Sequence, residues 1–280
     1  MPDNGDQLRS ASYKLPVEDP DFLLRDEVRG IRFELEYDKA ELLLRDWGVR
    51  STVVVFGSAR IVAPDQAEAA LAAATTPNER ARAQRRLEMA HYYGLARAFG
   101  RIVSKKGGAL ASGRPRDNVI ATGGGPGIME AANRGAADVG APSIGFNISL
   151  PAEEQPNPYS TPELTFRFHY FAMRKMHFAM RANALAVFPG GFGTLDELFE
   201  LLTLRQTHKS PPLPIVLFGR DYWNQIVNFD ALVAEDMIDA RDLDLFAFVE
   251  TAEEGWAELV KRGLVGHTPE HHRPIHPKDT

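Results

Sequence analysis

A chain of 280 residues with 44% hydrophobic content is long enough to bury a large core in one α/β unit with appendages. The net charge of −6 leaves no basic footprint for nucleic acid, and the absence of cysteine excludes disulfides, a thiol nucleophile and cysteine-bound metal. No apolar run approaches the ~20 residues of a membrane helix, and the opening residues lack a signal-peptide pattern, so a soluble cytoplasmic protein is expected.

Residues 1–22 mix Pro, Asp and Ser without periodicity and read as a mobile arm. Residues 23–47 carry Ile31, Leu35, Leu42, Leu43 and Trp47 at helical spacings, the mark of one or two amphipathic helices that cap the core or meet a second subunit. The β-branched run 51–56 suits a central strand, and Gly57-Ser58-Ala59-Arg60 forms the turn after it. Small residues there let a ligand lie against the strand end, and Arg60 either reaches a phosphate or stays solvated. Residues 61–80 are an Ala-rich insertion. Thr76-Pro77-Asn78-Glu79 has capping-box spacing with Pro at the first helical position, so one long helix is expected over 77–104. Its arginines, Arg80, Arg82, Arg85 and Arg86, read as a solvated face in preference to an anion site.

Gly107-Gly108 stops that helix, and 118–122 is the next strand. It feeds Gly123-Gly124-Gly125-Pro126-Gly127 and a small-residue helix. This loop lacks the Gly-Lys-Ser/Thr of a Walker A motif and does not fit the dinucleotide G-x-G-x-x-G register, because the last position falls on Ile128. Residues 143–148 form a strand and 150–159 an irregular loop. Residues 164–170 alternate like a strand, and 171–183 read as a helix bearing Arg174, Lys175, His177 and Arg181. Arg174 and His177, three apart, share a face, whereas Arg181 reads as surface charge. Further strands are expected at 212–218 and 245–249, with helices from 221 and over 252–262. Strands alternating with helices predict an α/β fold, a Rossmann-like doubly wound parallel sheet flanked by helices. The expected division is an arm and helical extension at 1–48, the nucleotide-binding catalytic unit at 49–264 and a disordered tail at 265–280. Four of the eight histidines lie in that tail, where prolines and terminal position favour disorder over a zinc site.

The central stretch is 184–206. An apolar strand ends at Pro189-Gly190-Gly191-Phe192-Gly193, which must turn tightly, and Thr194 opens a helix striped by Leu195, Leu198, Leu201 and Leu202. Strand, glycine loop and helix start make an anion site, since backbone N–H groups and the helix dipole converge there. Gly190, Gly191, Gly193 and Thr194 would hold a phosphate through their N–H groups and the Thr194 hydroxyl. Asp196, Glu197 and Glu200 crowd the same helix, either compensating its dipole or facing a sugar phosphate.

Pro189-Gly190-Gly191-x-Gly193-Thr194-x-x-Glu197 resembles the PGGxGTxxE motif of the LOG family of cytokinin riboside 5'-monophosphate phosphoribohydrolases, proteins often labelled lysine decarboxylases. Gly123–Glu130, the Arg174-Lys175 pair and Val55-Phe56-Gly57-Ser58 resemble further motifs of that family, in family order, so the likeness covers roughly residues 50–262. It implies hydrolysis of the N-glycosidic bond of a nucleoside 5'-monophosphate, with Arg174 and Glu197 as catalytic residues. Gly57, Ser58, Gly124, Gly125 and Lys175 would bind substrate, Lys175 through phosphate or a carboxylate. Glu153 matches an acid that relatives place against substrate, or is a solvated loop acid, and Thr203 would line the pocket. Glu197 at its ordinary pKa of ~4.3 would be ionised at neutral pH.

No metal or cofactor is expected. The lysine decarboxylase label is rejected, because pyridoxal chemistry needs a Schiff-base lysine and Lys175 is better explained as an anion contact. The insertions at 61–80 and 107–116 and the N-terminal arm depart from the short plant-type enzymes, and the motif flanks Asn157-Pro158-Tyr159 and Phe171-x-x-Arg174-Lys175 resemble longer bacterial members, which favours AMP or another purine monophosphate over a cytokinin nucleotide. A homodimer is implied by resemblance. The other readings are a nucleotide or phosphorylated-cofactor carrier or sensor without turnover, and a DNA-binding relative disfavoured by the acidic balance.

Overall fold

The structure, a computed structural model, describes residues 3–111, 115–149 and 155–265. Among these, seven strands form one sheet: β1 (Thr52–Phe56), β2 (Val119–Thr122), β3 (Ser143–Ile148), β4 (Thr165–Phe168), β5 (Ala182–Val187), β6 (Ile215–Phe218) and β7 (Phe246–Val249). Every neighbouring pair is parallel, in the order β4-β3-β2-β1-β5-β6-β7. Parallel strands are buried on both faces, which is why β1, β2 and β6 read as unbroken apolar runs rather than alternations.

The helices are α1 (Gly5–Arg9), α2 (Pro20–Leu23), α3 (Arg29–Asp46), α4 (Pro64–Ala73), α5 (Pro77–Met89), α6 (His91–Lys106), α7 (Ile128–Ala137), α8 (Phe171–Met180), α9 (Phe192–Gln206), α10 (Arg220–Ile226), α11 (Phe229–Ala234) and α12 (Ala252–Lys261). Small residues bring α6 close to α7: Gly100 lies so near the Ala132 carbonyl that a Cβ there would collide with backbone.

From β1 the chain winds outward through β2, β3 and β4, then returns to place β5 on the other side of β1. The strand order therefore reverses between β1 and β5, and a crevice opens beyond their carboxyl ends, where open α/β sheets bind ligands. Both ends carry glycine loops, Gly57-Ser58 after β1 and Pro189-Gly190-Gly191 after β5. They are tied together by Phe188 N–H to Phe56 O at 2.8 Å and Ser58 N–H to Pro189 O at 3.0 Å.

Several expectations change. The described part of the arm, read as aperiodic, forms short helical turns that bury none of their residues. The 77–104 helix is two, broken at Ala90, and the insertion holds a helix of its own, α4. The capping box at Thr76 and Glu79 is present with both hydrogen bonds. The proposed stripe of α3 divides: Leu43 and Trp47 pack against the core beside the buried Ala40 and Leu44, whereas Ile31, Leu35 and Leu42 are exposed.

Helix α8 ends at Met180, so Arg181 caps it instead of lying within it. Arg181 is also no surface charge. It is nearly buried and donates two hydrogen bonds of 2.6 Å to Glu41 of α3, fastening the N-terminal helix to the core. The tail from residue 266, and with it the expected disorder and histidine cluster, lies outside the described residues.

Candidate active site

The glycine loop after β5 is held from both sides. Gly190 presses against Thr194 so closely that a Cβ would run into the Thr194 hydroxyl, and its carbonyl accepts a 2.6 Å hydrogen bond from Tyr222. Gly191 is the N-cap of α9 and supplies no side-chain cap, so the first N–H groups of the helix stay available to a ligand. The helix begins at Phe192, two residues before the expected Thr194, and its first turn contains no acid. Asp196, Glu197 and Glu200 thus sit beyond the turn where dipole compensation acts, which leaves them to side-chain chemistry.

A cavity of about 350 Å³ opens beside this helix start. Gly57 and Ser58 line it from β1, Gly125 from the loop after β2, and Gly191, Gly193 and Thr194 from the α9 start. Arg174 and Glu197 complete its wall. Glu197 is 3% exposed, and Arg174 Nη2 donates to its Oε1 at 3.3 Å. The Arg174 guanidinium lies over the rings of Phe171 and Phe178, and its Nε is buried without a partner. Burial raises the Glu197 pKa and outweighs the opposing charges of Lys175 and Arg174. The ordinary carboxylate pKa expected for Glu197 is therefore corrected upward.

Lys175 has turned to the carboxylates, one of the two roles open to it. Its Nζ lies 2.8 Å from Glu200, 2.9 Å from Asp196 and 3.6 Å from Glu197. Burial works against its charge, but hydrogen bonds to Glu200 and Asp196 prevail and raise its pKa. An ammonium held in that way is a poor Schiff-base amine, and no lysine lines either cavity at the loop. The residues present do not fit pyridoxal chemistry.

One expected placement fails. Thr203 is exposed, and its hydroxyl donates back to the Phe199 carbonyl at 2.7 Å. Six residues beyond Glu197, it is rotated about 240° around the helix, away from the cleft. His177 does not share the cleft with Arg174. It is buried against Tyr37, Phe146 and Phe168. Glu153 lies outside the described residues.

Gly124 is not itself at the cavity wall, but its φ of 71° and its closeness to Asn147, whose amide a Cβ would strike, shape the loop. Asn147 was missed by sequence reasoning. It ends β3 at the cavity with its Nδ2 buried and unpartnered, and its position at a strand's carboxyl end was the available signal. Also missed was the network that fixes the second glycine loop. Asn157 donates from Nδ2 to Gly125 O at 3.1 Å and to Asn133 Oδ1 at 3.0 Å, and from N–H to Gly124 O at 2.8 Å.

A larger cavity of about 730 Å³ lies on the other side of the Pro189–Gly191 loop. Arg82, Arg85 and Arg86, expected as a solvated face in preference to an anion site, stand along it, and Arg60 lines both cavities. Among the described residues no group of three or more His, Asp or Glu side chains is arranged to hold a metal ion, and no helix is long and apolar enough to cross a membrane.

A parallel sheet with glycine loops at its switch point, and a buried arginine–glutamate pair beside a helix start, defines a Rossmann-like α/β protein with a carboxylate cleft. Residues 129–259 match the family described as "Possible lysine decarboxylase". The chain is 33% identical over 91 residues to a probable cytokinin riboside 5'-monophosphate phosphoribohydrolase, LOG4, of Oryza sativa subsp. japonica, covering 31% of this chain and 39% of the relative. It is 34% identical over 103 residues to the cytokinin riboside 5'-monophosphate phosphoribohydrolase LOG3 of Arabidopsis thaliana, covering 36% of this chain and 45% of the relative. The matched region thus spans less than half the length of these two relatives.

Among solved structures, the structural-genomics target TM1055 is similar at 21% identity and a TM-score of 0.48, over 75% of this chain and 99% of that one. A molybdenum cofactor binding protein from the phototrophic bacterium Rippkaea orientalis is similar at 17% identity and a TM-score of 0.43, over 76% of this chain and 94% of that one. Over this region the chain is similar in sequence to proteins of the LOG family.

Proposed function

We propose that the protein is a nucleoside 5'-monophosphate phosphoribohydrolase that cleaves AMP or a related purine monophosphate to free base and ribose 5-phosphate. The observation that carries this reading is the Arg174–Glu197 pair, buried in a cleft at the uncapped start of α9. The 5'-phosphate sits on the N–H groups of Gly191–Thr194 and on the Thr194 hydroxyl, where the helix dipole favours an anion. As the C1'–N bond breaks, positive charge spreads over C1' and the ring oxygen, and the ionised Glu197 carboxylate stabilises it. A water oxygen then bonds to C1' as its proton passes to Glu197, and one proton reaches the nitrogen of the departing base from solvent while Glu197 releases its own to solvent, which leaves the carboxylate ionised again. Arg174 orients Glu197 and keeps donors free for the ribose or phosphate.

Incubation of the full chain with AMP, adenosine, GMP and isopentenyladenosine monophosphate, followed by chromatography for free base, tests this. The expected result is adenine from AMP, none from adenosine, and loss of release in Glu197→Gln. No base from any nucleotide, with AMP still raising the melting temperature, would replace the hydrolase with a nucleotide carrier or sensor.

A further inference from the structure

The larger cavity has a charge pattern that monophosphate hydrolysis does not use. Arg82, Arg85, Arg86 and Met89 follow i, i+3, i+4, i+7 spacing along α5, the pattern that normally turns apolar residues to a core. Here it places three arginines and one methionine along a cavity. Arg60 joins them from the turn after β1, and among the described residues the cavity lining contains no Asp or Glu. The chain as a whole carries a charge of −6, so four arginines around one space are a concentrated exception.

The same cavity is also lined by apolar and aromatic side chains, Tyr222 and Leu195 among them. Tyr222 is fixed there by its hydrogen bond to Gly190 O. A space of about 730 Å³ with a cationic wall and an aromatic wall fits a ligand with several negative charges at one end and a flat apolar group at the other.

We propose that this cavity is a second anion site, which takes a nucleoside di- or triphosphate with its phosphate chain on Arg60, Arg82, Arg85 and Arg86 and its base against Tyr222. The inference goes beyond hydrolysis in the neighbouring cleft and does not depend on it.

Isothermal titration of the full chain with ATP, inorganic tripolyphosphate and AMP, without divalent metal, tests the site. The variants are the triple Arg82→Ala/Arg85→Ala/Arg86→Ala and, as a control on the same helix away from the cavity, Arg80→Ala. All four substituted arginines are exposed, so the fold is expected to survive, which circular dichroism would verify. ATP and tripolyphosphate should bind the native chain, ATP more tightly because of the aromatic wall. The triple variant should weaken both by roughly tenfold or more, as loss of charge-assisted hydrogen bonds does. AMP binding should change little in the triple variant, and Arg80→Ala should leave all three ligands unaffected. Tripolyphosphate binding without preference for ATP would replace the nucleotide by a bare polyphosphate and overturn the assigned ligand. No binding of either, undiminished binding in the triple variant, or an equal loss in Arg80→Ala would overturn the site itself. Because the readout is binding, failure of AMP hydrolysis would leave the result interpretable.

Discussion

Arg174 meets Glu197 through one nitrogen, Nη2 to Oε1 at 3.3 Å, while its Nε stays buried and unpartnered. A guanidinium that served only to neutralise this carboxylate would be expected to engage it with two parallel bonds. The single contact leaves Arg174 donors unengaged at the wall of the cleft, which is the arrangement a ligand would complete. Arg174→Lys keeps the charge but loses the fork, and should lower kcat/KM for AMP by ~10- to 100-fold. An unchanged kcat/KM would remove Arg174 from the substrate.

Burial raises the Glu197 pKa, and the carboxylate acts in its ionised form. The sign follows directly: activity falls as pH drops through the raised pKa, so the acid limb of kcat/KM lies above the ~4.3 of an ordinary glutamate. Lys175 is the largest charge holding that pKa down, so Lys175→Met should move the limb to higher pH. A limb that stays in place in Lys175→Met would assign the titration to another group. Glu197→Gln should cost about 10²- to 10⁴-fold in kcat at every pH.

His177 gives a separate signal, in stability. Burial first, then the charge of Arg181, pushes its pKa down to about 4. Neither ring nitrogen meets hydrogen-bond geometry with a partner. The folded state therefore binds this proton less readily than the unfolded state. The contribution of His177 is fully present above the unfolded pKa of about 6.5 and is lost as pH falls towards about 4. His177→Phe should remove that loss, making the variant more stable relative to the native chain at about pH 4.5 than at about pH 7.5 by about 2 kcal/mol. Urea unfolding at the two pH values measures it, and an equal difference at both would exclude His177 as the titrating group.

The Arg181–Glu41 pair joins α3 to the end of α8, with side chains 12% and 19% exposed. Removing one partner leaves the other charge in a poorly solvated place. Arg181→Met should destabilise by about 1–3 kcal/mol in urea and speed proteolysis within residues 3–46. The double variant Arg181→Met/Glu41→Met should recover part of the loss, since it leaves no lone charge. A double variant as unstable as the sum of the singles would show that the two do not act as a pair.

Gly190→Ala and Thr203→Val should behave oppositely although both lie in or near the motif helix. A methyl at Gly190 meets the Thr194 hydroxyl, so the loop must shift, at a cost of about 1–3 kcal/mol and with weaker AMP binding. Thr203→Val, on the far side of α9, should leave AMP kinetics within about twofold of native, the usual scale for a surface change. Impaired turnover in Thr203→Val would bring that residue back to the site.

How much of this was legible differs from residue to residue. The strands of the sheet are short apolar runs set off by glycines, and parallel burial leaves that mark on the chain itself. The glycine loop and helix start at 189–194 were readable for the same local reason, because a tight turn, a missing side-chain cap and a following apolar stripe are properties of neighbours in sequence. Glu197 and Arg174 could be picked out by their motifs, and the family resemblance implied that they meet, but local sequence alone did not, since 23 positions and a strand separate them.

Tertiary packing alone decided the rest. Burial, and not residue type, raised the Glu197 pKa. Rotation about α9 took Thr203 out of the cleft, and the end of α8 at Met180 gave Arg181 to Glu41. The arginines of α5 had the composition of a solvated face, and only the close approach of that helix to the loop after β5 turned them towards a cavity. The amino-acid order by itself determined the local turns, the apolar strands and which groups were available. Which of those groups face one another, and in how little water, was decided by the winding of the sheet outward from β1, because distance in space and dielectric surroundings are not properties of sequence neighbours.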